Sequence, residues 1–290
     1  MTSIVTPTYN RASLLNKCYE SLLNQTSFNF EWIVVDDGSS DNTEEVVKSF
    51  DTDKFTINYV KKTNGGKHTA LNASHEHIHG DYVLILDSDD YLTETAVEKT
   101  AAAWEKYSDN AEIGMVVFLK GASELEPNCM AADEGVPVDI LRYKRNCIRS
   151  NDCCEVIKAD LFKKYPFPEY AGEKFISECA LWNRVSFTHK CVYINEVIYI
   201  CEYLEGGLTD SGRAMRIRNP LGGMFICNIR MDRKNYFRER IKYSLLYTCY
   251  GFFAKLKPKQ MAKKCRAKVL MWLCLPFGWV MYKLWKKKYA

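Results

Sequence analysis

The chain has 290 residues, of which 47% are apolar and 26% are charged, a composition typical of a globular protein. This length can bury a substantial core in one large domain or two smaller ones, and the absence of internal repeats or low-complexity segments excludes a repeat protein. The net charge of +4 is unevenly distributed, because residues 240–290 contain 13 Lys and Arg and no Asp or Glu, whereas residues 1–239 contain 27 basic and 36 acidic side chains. A basic tail on an acidic body indicates that the tail meets an anionic surface.

The first 110 residues alternate between strand and helix patterns. Hydrophobic patterning predicts strands over residues 3–6, 32–35, 57–60 and 82–86. It predicts helices over residues 12–24 and 67–78, and a third that starts at the capping-box pair Asp41 and Glu44. Strands that alternate with helices favour an α/β fold with a mostly parallel, doubly wound sheet.

The patterns are weaker after residue 112. We predict a strand over residues 114–119, a loop-rich stretch over 133–152, a helix over 176–187 and an extended segment over 192–203. From residue 241 the chain becomes aromatic, apolar and basic, which is the clearest break in composition. We therefore predict a domain over residues 1–210, with halves 1–110 and 111–210, and a helical C-terminal region over residues 211–290.

The twelve cysteines include no C-x-x-C pair and are spread through apolar stretches. This favours free, buried thiols in a reducing compartment over a disulfide framework. The N-terminus enters a predicted strand at once, without a basic and apolar leader, so we expect a cytosolic protein.

The most informative segment is V-L-I-L-D-S-D-D-Y-L at residues 83–92, an apolar run that ends in three carboxylates. Charge is costly inside a buried strand, so Asp87, Asp89 and Asp90 are expected where the strand ends. In open α/β sheets ligands bind at the carboxyl ends of the strands. Alternate residues share a face, so Asp87 and Asp89 can point at one ligand.

Other strand ends carry polar residues that fit the same ligand. The first strand ends in T-P-T-Y-N at residues 6–10, the second in Asp36 and Asp37, and N-G-G-K at residues 64–67 opens a helix. Glycines let the backbone approach closely, and a helix start with a lysine favours phosphate oxygens. The pattern predicts a nucleotide diphosphate with a divalent ion; the alternative is a set of ordinary turns, since Asp, Asn and Gly are common turn residues.

Three motifs, T-P-T-Y-N-R at 6–11, V-V-D-D-G-S at 34–39 and D-S-D-D at 87–90, resemble glycosyltransferase family 2, the inverting nucleotide-sugar enzymes with the type A (Rossmann-like) fold. The resemblance covers residues 2–110 strongly and extends more weakly to about 210. It implies that 1–110 is the nucleotide-binding half and 111–210 the acceptor half of a catalytic domain. It also implies roles for individual residues: nucleoside contacts for Thr6, Thr8 and Tyr9, a uracil hydrogen bond for Asp37, a pyrophosphate or ribose contact for Lys67, and the D-x-D pair for Asp87 and Asp89.

In this family the D-x-D pair holds Mg²⁺ or Mn²⁺, with Asp89 on the metal and Asp87 on metal or ribose. The chemistry agrees, because hard divalent ions take carboxylate and phosphate oxygens and can stabilise the charge of a departing diphosphate. Asp36 is expected to be structural.

Inversion requires a base that deprotonates the incoming hydroxyl. The resemblance aligns Glu178, in K-F-I-S-E-C-A-L-W at 174–182, with the base, although Ser177 replaces the first acid of the family's usual pair and Glu173 is an alternative. Trp182 would line the acceptor site or belong to the core. The G-G-L-T stretch at 206–209, followed by Arg213, resembles the family's mobile loop, with Arg213 reaching the diphosphate; the alternative is a surface turn with a solvated arginine.

The H-E-x-x-H pattern at residues 75–79 matches a zinc-protease motif. Gly80 and Asp81 end the predicted helix directly after it, so we favour histidines at a helix end over a zinc site.

The basic tail, at about residues 255–288, surrounds a 14-residue apolar run at 269–282 that contains Pro276 and Gly278. A spanning helix needs about 20 apolar residues, so this run is too short. Aromatic and basic flanks favour a segment lying on an anionic membrane surface over a core helix or an RNA-binding tail.

The sequence therefore predicts an inverting, metal-dependent glycosyltransferase on the cytoplasmic side of the cell membrane, bound peripherally or monotopically. It would move a sugar from a nucleotide-sugar donor, with UDP as the expected nucleotide, to a hydroxyl of a polyprenyl-diphosphate-linked saccharide in capsule, O-antigen or exopolysaccharide synthesis. No nucleic-acid partner is expected. The alternatives are a sugar-nucleotide nucleotidyltransferase, which would carry a G-x-G-x-R-type loop after the first strand, and a non-catalytic membrane-tethered nucleotide-binding module.

Overall fold

The computed structural model describes residues 1–143, 146–150, 152–201 and 212–289. Contacts divide the chain into two compact units. The N-terminal unit consists of Met1–Pro166 and Thr188–Tyr203, and the C-terminal unit consists of Phe167–Phe187 and Leu204–Ala290. Residues 167–187, predicted to belong to the 111–210 half, thus group with the C-terminal helices, and the predicted division at residue 210 lies outside the described residues.

The N-terminal unit is built on one large sheet. Its strands and those of a small second sheet are β1 (Thr2–Thr8), β2 (Phe30–Asp36), β3 (Thr56–Lys61), β4 (Tyr82–Ile85), β5 (Tyr91–Leu92), β6 (Ile113–Ser123), β7 (Glu126–Pro127), β8 (Cys129–Met130), β9 (Pro137–Val138), β10 (Asn146–Cys147), β11 (Cys153–Lys158) and β12 (Lys190–Ile200). The helices are α1 (Ala12–Leu23), α2 (Thr43–Ser49), α3 (Lys67–Ala73), α4 (Ala96–Tyr107) and α5 (Ala159–Lys164), with a 3₁₀ turn at Ser74–His77. The large sheet has the order β3-β2-β1-β4-β11-β6-β12-β5, and β8 pairs with β10.

The sheet is parallel in one half and mixed in the other. Strands β3, β2, β1 and β4 are parallel, as predicted. Strand β11 then runs antiparallel between β4 and β6, β12 is parallel to β6, and β5 is antiparallel to β12. The prediction of a mostly parallel sheet is therefore wrong beyond β4, because β11 lies antiparallel between β4 and β6 in the interior of the sheet.

Helices pack on the sheet through an apolar stripe or a short buried segment. Leu15, Cys18 and Leu22 of α1 follow helical spacing and share one core cluster with Ile4 and Trp32. Helices α2 and α4 contribute to the same cluster. Helix α3 contacts β1 and β2, and α5 contacts β4 and β11. Strand residues that alternate with Ile4 and Trp32 point to the opposite face of the sheet. The buried side chains of α3 and α5, which are not part of this cluster, cover that face.

The C-terminal unit is helical. Its helices are α6 (Cys179–Val185), α7 (Gly212–Arg218), α8 (Pro220–Arg230), α9 (Phe237–Phe253), α10 (Pro258–Lys264) and α11 (Lys268–Tyr289). Helix α9 packs between α8 and α11, and their shared core includes Tyr247, Met261 and Met271. Gly278 allows α11 to approach α9 closely, because a Cβ at this position would overlap the Thr248 hydroxyl. Among the described helices, none combines the length and hydropathy that a membrane crossing requires.

Candidate functional site

The candidate site lies where three parallel strands end side by side. Thr8 of β1 pairs with Asp36 of β2, and Val5 of β1 pairs with Ile85 of β4, so the residues that follow these strands emerge at one edge of the sheet. This edge is the carboxyl end of the parallel strands, where open α/β sheets bind ligands. The fold therefore brings together the polar strand ends that the sequence singled out.

The three predicted nucleoside contacts of β1 have different surroundings. Thr6 is fully buried, and its hydroxyl accepts a 2.9 Å hydrogen bond from the Trp32 indole, so its side chain faces the core. Thr8 is 3% exposed, and its hydroxyl has no hydrogen-bond partner among the described residues. Tyr9 is 48% exposed. A buried hydroxyl without a partner costs free energy that a ligand or a water can recover, whereas the Thr6 hydroxyl already has a protein partner. The nucleoside contacts of all three residues stay predictions.

The turn after β1 is tied to the turn after β2. Asn10 adopts a left-handed backbone with φ of 51°, a conformation that asparagine tolerates better than most residues. Its amide donates to the Ser39 hydroxyl at 2.9 Å, and its side-chain oxygen accepts a 2.8 Å bond from the Ser40 amide. The V-D-D-G-S-S segment is thus fixed against T-P-T-Y-N-R.

Asp37 organises the glycine loop. Its carboxylate accepts bonds from the backbone amides of Gly65 at 2.9 Å and Gly66 at 2.6 Å, and it forms an ion pair with Lys62 at 2.8 Å. The Asn64 amide adds a further donor at 3.2 Å. These protein partners occupy both carboxylate oxygens, whereas the resemblance implies a uracil partner for Asp37. Asp36, as expected, is structural: it accepts bonds from the Ser39 amide and the Tyr59 hydroxyl.

Each carboxylate of the predicted D-x-D pair is matched with a cation. Lys67, at the start of α3, lies 2.5 Å from an Asp87 oxygen, and Arg11 lies 2.8 Å from an Asp89 oxygen. The Asp87 and Asp89 side chains are 27% and 21% exposed, so both remain accessible from solvent. Arg11 belongs to the T-P-T-Y-N-R motif, but its pairing with a residue 78 positions later has no sequence signal.

A second layer of residues supports this acidic turn from the other half of the sheet. Tyr199 of β12 is fully buried, and its hydroxyl accepts a 2.9 Å bond from the Asp87 amide and donates a 2.7 Å bond to the Asp90 carboxylate. Lys120 of β6 is the strand partner of Tyr199, and its ammonium lies 3.8 Å from the centre of the Tyr199 ring. Sequence reasoning missed both residues, because each sits in an apolar strand without a motif.

These neighbours separate the charge states of two nearby acids. Burial raises the pKa of the Asp87 carboxyl, but the positive charges of Lys67 and Lys120 outweigh burial and hold this pKa below its ordinary value. Burial and the Asp87 carboxylate together raise the pKa of Asp90 to about 7. Burial alone would lower the pKa of Lys120, but the charges of Asp87 and Asp90 outweigh burial and raise this pKa above its ordinary value. The cluster thus holds an ionised Asp87 beside a half-buried lysine.

The acidic turn fits a hard divalent ion in donor chemistry. Asp87 and Asp89 offer two partly exposed carboxylates, and Mg²⁺ commonly uses one or two carboxylates together with substrate phosphates. Within the described part of the chain, no group of three or more His, Cys, Asp or Glu is arranged to hold a metal ion by itself. A site completed by a diphosphate is therefore the arrangement that these residues suit.

The two candidate bases belong to the C-terminal unit and differ in their surroundings. Glu173 accepts bonds from the amides of Leu221 at 2.7 Å and Gly222 at 2.8 Å, so its carboxylate caps the start of α8. Burial raises the pKa of Glu173, and the two amides oppose this effect. Glu178 immediately precedes α6 and is half-buried. Trp182, in α6, is 7% exposed, which agrees with its core alternative.

Three other stretches were singled out by the sequence. The G-G-L-T stretch at 206–209 is outside the described residues. Arg213 of α7 stacks on the Trp285 ring at 4.8 Å and donates to the Tyr289 hydroxyl at 3.4 Å. In the H-E-x-x-H stretch, the His75 ring packs on Phe162, whereas the His79 ring binds the Glu31 carboxylate at 2.9 Å.

All twelve cysteines are free thiols, and nine of them are buried. Cys18 donates to the Asp90 carbonyl at 3.0 Å, directly beneath the acidic turn. Burial raises the pKa of this thiol well above its ordinary value, so it is a protonated packing residue of the site.

Solved structures share this architecture. Staphylococcus aureus TarS in complex with UDP-GlcNAc superposes with a TM-score of 0.62 at 18% identity, over 96% of this chain and 80% of TarS. The mannosyltransferase PcManGT from Pyrobaculum calidifontis, in complex with GDP-Man and Mn²⁺, gives a TM-score of 0.58 at 18% identity, over 99% and 82% of the two chains. The fold is thus the mixed α/β architecture, with a curled central sheet, of glycosyltransferases of the type A kind.

Residues 3–154, just over half of the chain, match the family model of glycosyl transferase family 2, and the chain belongs to this family. It is 26% identical to the glycosyltransferase GlyG of Streptococcus pneumoniae over 224 residues, covering 71% of this chain and 72% of GlyG. It is 41% identical to chondroitin synthase of Pasteurella multocida over 98 residues, which are 34% of this chain and 10% of the synthase. The chain therefore spans only a small part of that larger relative. The family match favours a glycosyltransferase over the nucleotidyltransferase alternative.

Proposed function

We propose that this protein is an inverting glycosyltransferase that moves a sugar from a nucleotide diphosphate donor, with UDP as the expected nucleotide, to a hydroxyl of a lipid-linked saccharide. The observation that carries the proposal is the acidic turn, in which Asp87 and Asp89 each face a cation at the carboxyl end of a parallel sheet. Such a turn can hold a diphosphate through its cations and a divalent ion through its carboxylates. Family membership supports glycosyl transfer as the reaction.

The strand ends supply the donor contacts of this proposal. Tyr9 offers an exposed ring for a base, and the Thr8 hydroxyl lacks a protein partner among the described residues. Lys67 stands beside Asp87, where it can meet a phosphate oxygen. TarS and PcManGT were solved with UDP-GlcNAc and GDP-Man, which supports a nucleotide-sugar donor here. The Asp37 contact to uracil would require Asp37 to give up a loop contact.

Asp87 and Asp89 would hold Mg²⁺ or Mn²⁺, with Asp89 as the principal ligand. When bound, the ion would supply the positive charge that stabilises the departing diphosphate. The chain's own residues prepare the site: Lys67 pairs with Asp87 and Arg11 pairs with Asp89, while the Tyr199 hydroxyl holds the Asp87 backbone in place. Arg213 is proposed to contact the departing diphosphate.

Glu178 is the proposed base. It would accept the proton of the acceptor hydroxyl as that oxygen attacks the sugar carbon from the side opposite the diphosphate, which inverts the anomeric configuration. Glu173 is the weaker candidate, because its two oxygens already cap the start of α8. A matched pair of variants, Glu178→Gln and Glu173→Gln, separates them: the first should abolish transfer, and the second should mainly lower stability.

We infer that the acceptor is membrane-bound and that residues 255–288 dock the enzyme on the cytoplasmic face of the membrane. Helix α11 supports this proposal, because Leu273, Phe277 and Leu284 are 63%, 67% and 64% exposed on one side of the helix. Lysines at 283 and 286–288 lie at the C-terminal end of that apolar surface. A docked enzyme suits a polyprenyl-diphosphate-linked saccharide in the synthesis of a cell-surface polysaccharide.

Metal-dependent hydrolysis of UDP-sugars in the absence of an acceptor tests the catalytic assignment. Asp89→Asn should remove most turnover, whereas Asp109→Asn, a change to an exposed Asp on the same unit, should leave it unchanged. Equal turnover of Asp89→Asn and the wild type would rule out this site and favour a non-catalytic binding module. NMR of the product anomer tests inversion.

A further inference from the structure

A second site candidate lies in the C-terminal unit. A cavity of about 640 Å³ is lined by residues 231–233 after α8, by Arg240 of α9 and by residues 266–270 around the start of α11. Four of its lining residues are cationic: Arg233, Arg240, Arg266 and Lys268. The donor and acceptor residues discussed above do not line it.

The cavity has a surplus of positive charge. Its one acidic lining residue, Asp232, forms a 2.6 Å ion pair with Arg266. Arg240 is held in place by a 3.2 Å bond to the Met231 carbonyl. In the described part of the chain, Arg233 and Lys268 have no acidic partner, and both are exposed. Three cations therefore remain available to an anion.

The first turn of α11 adds backbone donors. Residues 267–270 line the cavity, and the amide of Met271 bonds to the Ala267 carbonyl at 2.9 Å as the helix begins. The amides of residues 268–270 precede that bond, and the first amides of a helix lack intrahelical partners. The N-terminus of the 22-residue helix α11 together with neighbouring guanidinium groups suits a phosphate oxygen better than either feature alone.

An exposed apolar stripe begins at the same cavity. Val269, which lines the cavity, is 74% exposed, and Leu273, Phe277, Val280 and Leu284 continue from it at spacings of three or four residues. This spacing keeps the five residues on one side of the helix. At 1.5 Å per residue the stripe is roughly 22 Å long, comparable with an acyl chain. We call these five residues the apolar stripe of α11.

We propose that the cavity binds the phosphate group of an anionic membrane lipid, whose acyl chains lie against the apolar stripe. This inference rests on the proposed membrane docking and names the lipid group that the docked surface recognises. The charge of the cavity complements a phosphate, and the adjoining stripe complements a hydrocarbon chain. Free phosphate would leave the stripe exposed, and a nucleic acid would meet an apolar surface instead of a track of cations.

Vesicle flotation of the full chain tests the proposal. The cavity variant is Arg233→Gln with Lys268→Gln; the matched control is Lys286→Gln with Lys287→Gln, which removes the same charge from the other end of α11. Vesicles of phosphatidylcholine alone are compared with vesicles that also contain phosphatidylglycerol. Diffuse attraction weakens both variants equally, because each cation near a membrane contributes similarly. If the cavity binds a lipid phosphate, the cavity variant should lose about tenfold more affinity for anionic vesicles than the control variant loses.

Equal losses in the two variants would overturn the cavity assignment while leaving membrane docking intact. A third variant, Leu273→Ser with Phe277→Ser, tests docking through the apolar stripe and should lose vesicle binding. A wild-type chain that binds neither kind of vesicle would overturn both membrane docking and the lipid site in the cavity. Melting temperatures with inorganic phosphate identify the source: equal stabilisation by phosphate and by anionic vesicles would mean a free phosphate ligand. Binding of an RNA oligonucleotide that the cavity variant loses would also overturn the lipid assignment.

Discussion

Replacing Tyr199 by phenylalanine should show how far the acidic turn depends on the opposite half of the sheet. The change removes one hydroxyl from a fully buried ring and leaves the ring in place. The Asp87 amide then loses its 2.9 Å acceptor, and the Asp90 carboxylate loses a 2.7 Å donor. A neutral hydrogen bond contributes about 1 kcal/mol and one to a charged group about 1.5–3 kcal/mol. At a pH above the Asp90 pKa of about 7, the free energy of unfolding should therefore fall by about 2–4 kcal/mol.

Urea denaturation measures this loss, and Tyr82→Phe is the matched control. Tyr82 lies on β4, its ring stacks on Trp104 at 4.3 Å, and its hydroxyl makes no hydrogen bond within the described residues. The control should therefore stay within about 0.5 kcal/mol of the wild type. Calorimetric titration with UDP adds a second measurement, because a displaced Asp87 should weaken nucleotide binding in Tyr199→Phe alone. If the two variants were equally stable and bound UDP equally well, the supporting role of Tyr199 would be refuted.

Three further outcomes follow from the contacts of single residues. Asp37→Asn should lower the free energy of unfolding by about 2–4 kcal/mol, because it removes the charge that pairs with Lys62 and binds the loop amides. Asp89→Asn should lower it by less than about 1 kcal/mol, because the ion pair of Asp89 is partly exposed. Equal losses in urea denaturation would contradict this contrast. Burial raises the pKa of Glu31, but its hydrogen bonds outweigh burial and lower it, so its contribution to stability is present above the ordinary pKa and is lost as the pH falls below about 4.5. The stability gap between wild type and Glu31→Gln should accordingly narrow between pH 5 and pH 3, and a constant gap would refute the linkage. Gly278→Ala should cost about 1–3 kcal/mol by overlap with Thr248, and Thr248→Ala should restore part of the loss; no rescue would show that the overlap is not the cause.

The sequence predicted the parallel half of the sheet well because its signals are local. Each of the strands β1 to β4 is a short apolar run that ends in turn residues, and a helix follows each of the first three. The position of Asp87 and Asp89 at a strand end followed from the cost of burying charge. Strand β11 was missed because its sequence, C-C-E-V-I-K, follows a loop-rich stretch and does not resemble a strand by alternation.

The supporting residues of the site could not be predicted, for a different reason. Tyr199 meets Asp90 across 109 positions of sequence, and such a contact depends on strand order, which no local pattern encodes. Lys120 is one cation in an otherwise apolar strand, and its sequence gives no sign of the acids beside it. Motif similarity also does not tell which side of a strand a side chain faces: the Thr6 hydroxyl accepts a hydrogen bond from the Trp32 indole, a partner that no local pattern predicts.

The length of the acidic turn has a consequence for the shape of the sheet. Strand β5, which follows the turn, pairs with β12 at the far edge, so the chain must cross β11, β6 and β12 between Ile85 and Tyr91. At about 4.8 Å per strand, a flat sheet would demand roughly 19 Å, close to the full reach of six extended residues. The Asp90 amide, however, donates a 3.1 Å hydrogen bond to the Asp87 carbonyl, and this tight turn shortens the distance that the segment can span. The turn is thus too short to connect β4 and β5 in a flat sheet, so it favours a curled one. Residues inserted in the turn should reduce this curvature and break the hydrogen bond between Asp90 and Tyr199.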